Sequence, residues 1–338
     1  MIKKAFITGI TGMVGSHLLD YLIDNTDWEI YGLLRWRSPL NNISKHINMI
    51  NFSKRIFLEY GDINDYSSLE NIFKKKKFDF VFHLAAQSYP QTSFHAPTDT
   101  FKTNILGTEN VLKASLTFCP EATIHNCSSS EVFGRVPKAF VPIKEETPFH
   151  PASPYAISKC SADLIGRFYA EAYGLRVLTT RMFTHTGPRR GDVFMESTFA
   201  KQIALIEKGY LPEVILRGNL ESIRTVADVR DAVRAYFLLV TNKNIKSGDV
   251  FNIGGNFSAT VGQILEKLIS FSSNKNIIHK EDQSRMRPID ADLQIPDISK
   301  FKSITNWEPE YSFEETMRDL LEYWRDLVYQ YGDQFLQR

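Results

Sequence analysis

The sequence predicts an α/β fold: a doubly wound parallel sheet with a smaller, mostly C-terminal α/β lobe beside it. Three observations carry this expectation. Short β-rich runs alternate with helix-length amphipathic segments through the first half, a glycine-rich turn leaves the first run, and the alternation loosens after about Phe183. Strands separated by helix-length segments require right-handed crossovers, hence parallel neighbours.

Strands are expected at Ala5–Thr8, Glu29–Leu34, Ile56–Glu59, Phe80–Leu84, Thr123–Cys127 and Arg176–Arg181. Helices are expected between them at Met13–Asn25, Ser67–Phe73, Thr100–Thr117 and Pro154–Tyr173. The last has a strong start, because Ser153 suits the N-cap and Pro154 the first helical position. Further on come a helix near Ser197–Gly209, a strand at Val214–Arg217 and a helix beginning near Val226. A strand at Asp249–Ile253, a helix at Val261–Phe271 and an amphipathic helix at Tyr311–Tyr329 complete the pattern.

Composition excludes several classes of function. With a net charge of +1 and 23% charged residues, nothing suggests a nucleic-acid partner. The one dense basic run, Lys74 to Lys77, is flanked by Glu70 and Asp79 and reads as a solvated helix end. No segment approaches the ~20 apolar residues of a membrane span, and Met1-Ile2-Lys3-Lys4 enters a strand without the apolar stretch of a signal peptide. Cys119, Cys127 and Cys160 form no CxxC pair and no metal-ligand spacing, so no metal and a cytoplasmic location with reduced thiols are expected.

Chemistry in such sheets gathers outside the carboxyl ends of the strands. There the first turn reads Gly9-Ile10-Thr11-Gly12-Met13-Val14-Gly15. Glycines let the backbone turn tightly and approach a pyrophosphate, while the following helix presents unpaired N–H groups to the anion. This is the Rossmann-type signature, so 1–182 is read as a dinucleotide-binding domain to which parts of 226–256 return. The ranges 183–225 and 257–338 are read as the second lobe. An acidic residue closing the second strand would mark NAD(H); Leu34-Arg35-Trp36-Arg37-Ser38 has none. Arg35, with Arg37 and Ser38 in support, instead suits a 2′-phosphate, which favours NADP(H) over NAD(H). Asp62 and Ile63 follow the third strand, where a carboxylate can accept from the adenine amine.

Tyr155 and Lys159 are four apart on one helix and share a face. An ammonium beside a phenol favours the phenolate, giving a base for a sugar hydroxyl while hydride leaves the same carbon. Ser129, in the serine-rich turn after the fifth strand, is placed to hydrogen-bond the reacting oxygen. Glu131 adds a carboxylate able to remove a proton beside a new ketone and to protonate a departing hydroxyl.

Together the glycine loop, the Ser–Tyr–Lys set and Leu84-Ala85-Ala86-Gln87-Ser88 resemble the extended short-chain dehydrogenase/reductase superfamily. Within it the chain resembles the GDP-mannose 4,6-dehydratase group and the related GDP-4-keto-6-deoxymannose reductases. The likeness covers nearly the whole chain through Ser129-Ser130-Glu131 before Gly134, His185, Pro188-Arg189-Arg190-Gly191, Gly218-Asn219-Leu220, Arg224, Arg287-Pro288 and Asn306-Trp307-Glu308-Pro309. It implies that Leu84, Ala85, Ala86, Ser88, His185 and Arg190 join Gly9, Thr11, Gly12, Met13, Val14 and Gly15 at the cofactor. It implies Gln87, Ser130, Thr184, Lys201, Arg217, Arg224 and Arg287 at a GDP-sugar, hexose or heptose, with Arg224 and Arg287 on its diphosphate. The apolar helices at Thr100–Thr117 and Pro154–Tyr173 suit pairing across a two-fold axis, so a homodimer or homotetramer is expected.

Three positions depart from the dehydratase pattern: Ser129 stands where threonine is common, Thr184 where asparagine is usual, and Trp36 in place of a second arginine. The stretches at 198–203 and 228–231 look more like the reductase, and 188–194 more like the dehydratase. The expected reaction is 4,6-dehydration of a GDP-mannose-type sugar. The alternatives are a C4 dehydrogenase, reductase or epimerase and, from another class, a non-catalytic dinucleotide-binding regulator, which would be expected to lose one of Ser129, Tyr155 or Lys159.

Overall fold

The structure is a computed structural model that describes residues 2–50, 55–286, 289, 291–332 and 334. Its centre is a seven-stranded, all-parallel sheet. The strands are β1 (Lys4–Thr8), β2 (Glu29–Leu34), β3 (Ile56–Tyr60), β4 (Phe80–His83), β5 (Thr123–Cys127), β6 (Arg176–Met182) and, out of sequence, β10 (Val250–Ile253). They lie in the order β10-β6-β5-β4-β1-β2-β3, so the chain reverses direction across the sheet beside β1. Both faces are covered, so β1, β2 and β4 read as near-continuous apolar runs, while β5 and β6 also bury His125, Asn126, Thr179, Thr180 and Arg181. On one face pack α2 (Tyr66–Lys75), the short α3 (Pro90–His95) and α4 (Pro97–Phe101), α5 (Gly107–Phe118) and α6 (Pro154–Tyr173). The other face is covered by α1 (Met13–Asn25) and α8 (Val229–Thr241), which contact each other.

Helices α1 and α6 occupy the expected residues. The expected helix at Thr100–Thr117 is interrupted: α4 ends at Phe101, a π-helical turn runs from Lys102 to Leu106, and α5 follows. Its extra residue per turn brings Asn104 inward, where its amide bonds the backbone of Gln87.

The second lobe contains β7 (His185–Thr186), α7 (Met195–Glu207), β8 (Val214–Arg217), β9 (Ile223–Asp228), β11 (Phe257–Thr260), α9 (Val261–Ser270), β12 (Ile278–Glu281), β13 (Leu293–Gln294) and α11 (Phe313–Tyr331). Strand β9 is its spine, flanked by β11, β13 and β7. This corrects the expected helix start near Val226. That residue lies in β9, and the helix begins at Val229, where the Asp228 carboxylate caps the Arg230 N–H. A separate apolar core joins α7, α9 and α11 through Phe199, Leu265 and Trp324. Helix α10 (Ser299–Thr305) and Trp307 return to the large sheet, where Phe301 and Trp307 are fully buried.

Among the described residues no helix is long and apolar enough to cross a membrane. No group of three metal-ligating side chains among them is placed to hold an ion.

Candidate active site

The carboxyl ends of β1, β4 and β5 open into a cleft of about 830 Å³ between the sheet and the second lobe, near the upper end of ordinary ligand pockets. One end is made of backbone. Gly9 adopts φ +73°, Gly12 donates its N–H to the Gly9 carbonyl at 3.0 Å, and α1 starts at Gly12 with no side-chain cap. A Cβ on Gly15 would stand 2.2 Å from the Gly9 oxygen. The glycines are thus sterically required, and the uncapped helix end leaves N–H groups for a phosphate. Thr11, Met13 and Val14 line the same wall, so this end fits a dinucleotide.

Around it stand the other residues expected at a cofactor. Arg35 lines the cleft, with Ser38 Oγ accepting from its N–H, while Trp36 lies outside, 76% exposed beneath the Arg37 guanidinium. Asp62 and Ile63 line it too, although one Asp62 oxygen accepts the Asn64 N–H of its own turn. Leu84, Ala85, Ala86 and Ser88 form the floor. At the far rim, the His185 Nδ1 lies 3.1 Å from the Phe183 carbonyl. Only a protonated Nδ1 satisfies a carbonyl, so neutral His185 keeps Nε2 as an acceptor. Burial, helped by Arg190, holds its pKa down to about 4.

Four candidate catalytic groups line the middle of the cleft: Ser129, Glu131, Tyr155 and Lys159. Ser129 caps the turn Ser130–Phe133 by accepting the Glu131 N–H, which fixes Glu131 two residues beyond. The same hydroxyl lies close enough to the Tyr155 phenol to oppose the rise of its pKa. Gly134 ends the turn at φ +55°, where a Cβ would collide with the His150 carbonyl. Ser153 caps α6 through the Ala156 N–H and so sets where Tyr155 begins the helix.

The expected lowering of the phenol by Lys159 is not what this arrangement gives. Burial raises the Tyr155 pKa, outweighing the opposing pull of Ser129 and Arg190. The Lys159 ammonium donates to the Cys127 carbonyl at 2.7 Å, and burial lowers its own pKa. A carbonyl anchor turns the cation toward the strand end, so its effect on the phenol is at one remove.

At the substrate end, Ser130, Thr184, Arg217 and Arg224 line the cleft, together with Arg189, Phe194, Asn219 and Arg285, which the sequence reading did not assign to substrate. Arg217 bonds Glu281 at 2.9 Å, and Arg224 bonds the carbonyls of Ile223 and Ala291. Arg190 pairs with Glu196 and lies 3.5 Å from the Phe194 ring centre. Gln87 also lines the cleft, its side chain accepting from the Tyr89 N–H and donating to Thr100. Lys201 is not among the lining residues, and its ammonium pairs with Asp192 at 3.1 Å. Arg287 lies outside the described residues. Arg189 had a sequence signal in the doubled arginine of 188–191, but its left-handed backbone, φ 67°, is a fact of structure alone.

A doubly wound sheet carrying a glycine turn, with serine, tyrosine and lysine converging on one cleft, defines an extended short-chain dehydrogenase/reductase. The model of the family described as GDP-mannose 4,6 dehydratase matches residues 6–320, and the chain belongs to that family. It is 34% identical over 331 residues to GDP-mannose 4,6 dehydratase 2 of Arabidopsis thaliana, covering 95% of this chain and 86% of the relative. It is 29% identical to a GDP-6-deoxy-D-mannose reductase of Pseudomonas aeruginosa, covering 97% of this chain and 99% of the relative. A solved structure of RMD from P. aeruginosa complexed with NADPH superposes with a TM-score of 0.81 at 28% identity, over 96% of this chain and all of that one.

Proposed function

We propose that the chain is a 4,6-dehydratase acting on a GDP-mannose-type sugar nucleotide, hexose or heptose. The observation that carries the reading is the juxtaposition of Ser129, Glu131 and Tyr155 in one cleft, with the Ser129 hydroxyl holding the Glu131 backbone N–H. Bound nicotinamide would accept hydride from C4 and return it to C6. Tyr155, beside Ser129 in the cleft, takes the C4 hydroxyl proton and gives a solvent-exchanged proton to C5 as hydride returns to C6. Lys159 holds the strand end against that helix. Glu131 removes the C5 proton, made acidic by the C4 ketone, and protonates the C6 hydroxyl so that it leaves as water. The product is a 4-keto-6-deoxy sugar, lighter than the substrate by one water.

Arg217, Arg224 and Arg285 supply cations for the diphosphate, with Arg287 kept as a proposal from sequence. Arg35 and Ser38 at the adenosine end favour NADP(H), with NAD(H) the alternative. The exposed apolar face of Leu106, Ile157, Leu164 and Phe168 supports pairing with a second copy, as a homodimer or homotetramer. Three unpaired thiols agree with a cytoplasmic location.

The test supplies GDP-mannose without added cofactor, in deuterated water. The expected product has lost one water and gained deuterium at C5. A C4 change without water loss would instead establish the reductase or epimerase reading, which the P. aeruginosa relative favours. Replacing Tyr155 by Phe should lower turnover by about 10²–10⁴-fold while leaving dinucleotide affinity unchanged. Unaltered turnover would remove Tyr155 from the mechanism and favour a non-catalytic role for the constellation.

A further inference from the structure

Beneath the cofactor floor lies a chain of buried hydrogen bonds that the proposed reaction does not use. It starts at Thr8, the last residue of β1, whose hydroxyl oxygen accepts the N–H groups of both Leu84 and Ala85 at 3.0 Å. The same oxygen lies 3.0 Å from His83 Nδ1. Two N–H donors occupy both lone pairs of the hydroxyl, so its own proton must go to Nδ1. His83 therefore carries its hydrogen on Nε2, which is 3.0 Å from Thr108 Oγ1. Thr108 passes its proton to the Asn104 carbonyl at 2.7 Å.

Asn104, on the π-helical turn, then faces the site. Its Oδ1 accepts from the Gln87 N–H at 2.8 Å, and its amide donates to the Gln87 carbonyl and to Ser158 Oγ, each at 2.9 Å. Ser158 in turn donates to the carbonyl of Tyr155 at 2.6 Å. Thr8, His83, Asn104, Thr108 and Ser158 are all at most 5% exposed. With every proton assigned, the chain has one self-consistent direction from glycine turn to catalytic helix. Burial keeps His83 neutral, with its pKa down to about 3.

From this geometry we infer that His83 is a positioning residue, tying the backbone floor at Leu84 and Ala85 through Thr108 and Asn104 to the turn that carries Tyr155. It touches neither substrate nor cofactor. Its part is to fix the spacing between the floor and the phenol. The inference rests on the proposed role of Tyr155, though not on the identity of the sugar. Misplacement by about 1 Å can cost about 10²-fold in rate, so the effect should appear in kcat.

Three substitutions separate positioning from packing. His83→Gln keeps a donor near the place of Nε2 and should retain kcat within about 3-fold. His83→Asn keeps only an acceptor near Nδ1, and His83→Leu keeps neither. Both should lose about 10–100-fold in kcat, with KM and NADPH affinity within about 3-fold of wild type. Kinetics are run on whichever sugar nucleotide the wild type consumes, so a wrong substrate assignment leaves this test standing. Should His83→Leu fail to fold, the Gln–Asn contrast decides. Equal kcat in those two variants, or a loss confined to NADPH affinity, overturns the inference. Independently, long-range ¹H–¹⁵N spectra of the wild type should show His83 as the Nε2–H tautomer down to pH 5. The Nδ1–H tautomer or an imidazolium there overturns it as well.

Discussion

The two ends of the cleft are built from different materials. At the dinucleotide end the walls are backbone: a turn with a glycine at φ +73°, an uncapped helix start, and a floor whose amides are held by Thr8. At the sugar-nucleotide end the walls are long charged side chains, with Arg217 on Glu281 and Arg224 on two carbonyls. A backbone wall can be altered only by moving the chain. A side-chain wall can be exchanged residue by residue without disturbing the sheet, as functional variation on a common scaffold requires.

That contrast makes graded predictions. The largest effect is expected from Gly15→Ala, because the new Cβ meets backbone on two sides, at 2.2 Å from the Gly9 oxygen and 2.8 Å from Ile10 Cα. Overpacking of about 1–3 kcal/mol should weaken NADPH binding roughly 5–150-fold, read by fluorescence titration. Wild-type affinity would show that the turn yields. Next comes Arg224→Met, which removes one cation but no backbone support. It should raise KM for the sugar nucleotide about 10-fold or more, leaving kcat and NADPH affinity nearly unchanged; an equal fall in NADPH affinity would contradict the separation of the two ends.

Per residue, the smallest effect concerns acid. His17, His83 and His125 all belong to the dinucleotide half, and burial holds their pKa values down to about 4, 3 and 3, below the 6.5 of an exposed imidazole. Between pH 6.5 and 4 the unfolded chain therefore binds more protons than the folded one. The stability from these groups is complete above pH 6.5 and lost as pH falls. Each imidazole should cost about 1–2 kcal/mol at pH 5, visible as a lower urea midpoint than at pH 7.5. His83→Gln should flatten that slope, and an unchanged slope would mean His83 takes up protons in the folded protein as it does in the unfolded chain.

What was legible in the sequence follows the same divide. Helices α1 and α6 were placed to the residue because their starts are local, a glycine turn for one and Ser153-Pro154 for the other. Strand β9 was missed because its pairing partners, β7, β11 and β13, come from three separated segments. Only tertiary structure makes Val226 a strand residue. That Tyr155 and Lys159 line one cleft was legible because their spacing puts them on one face of α6. The internal partners of Gln87 and Lys201, Thr100 and Asp192, were not, since no short motif names them. The proton order through His83 was likewise out of reach, because it depends on what Thr8 has already accepted.

The return of the chain to the large sheet bears on how the molecule is made. One edge of the sheet is β10, and its core is closed by Phe301 and Trp307. A nascent chain leaving the ribosome has therefore delivered Tyr155, Lys159 and the whole glycine turn well before the last piece of their own scaffold exists. The half that holds the cofactor is completed only after most of the other half has been synthesised. Release of the dinucleotide domain as a separate, finished unit is built out of the topology, and a chain stopped before Trp307 would carry every candidate catalytic residue and an open core.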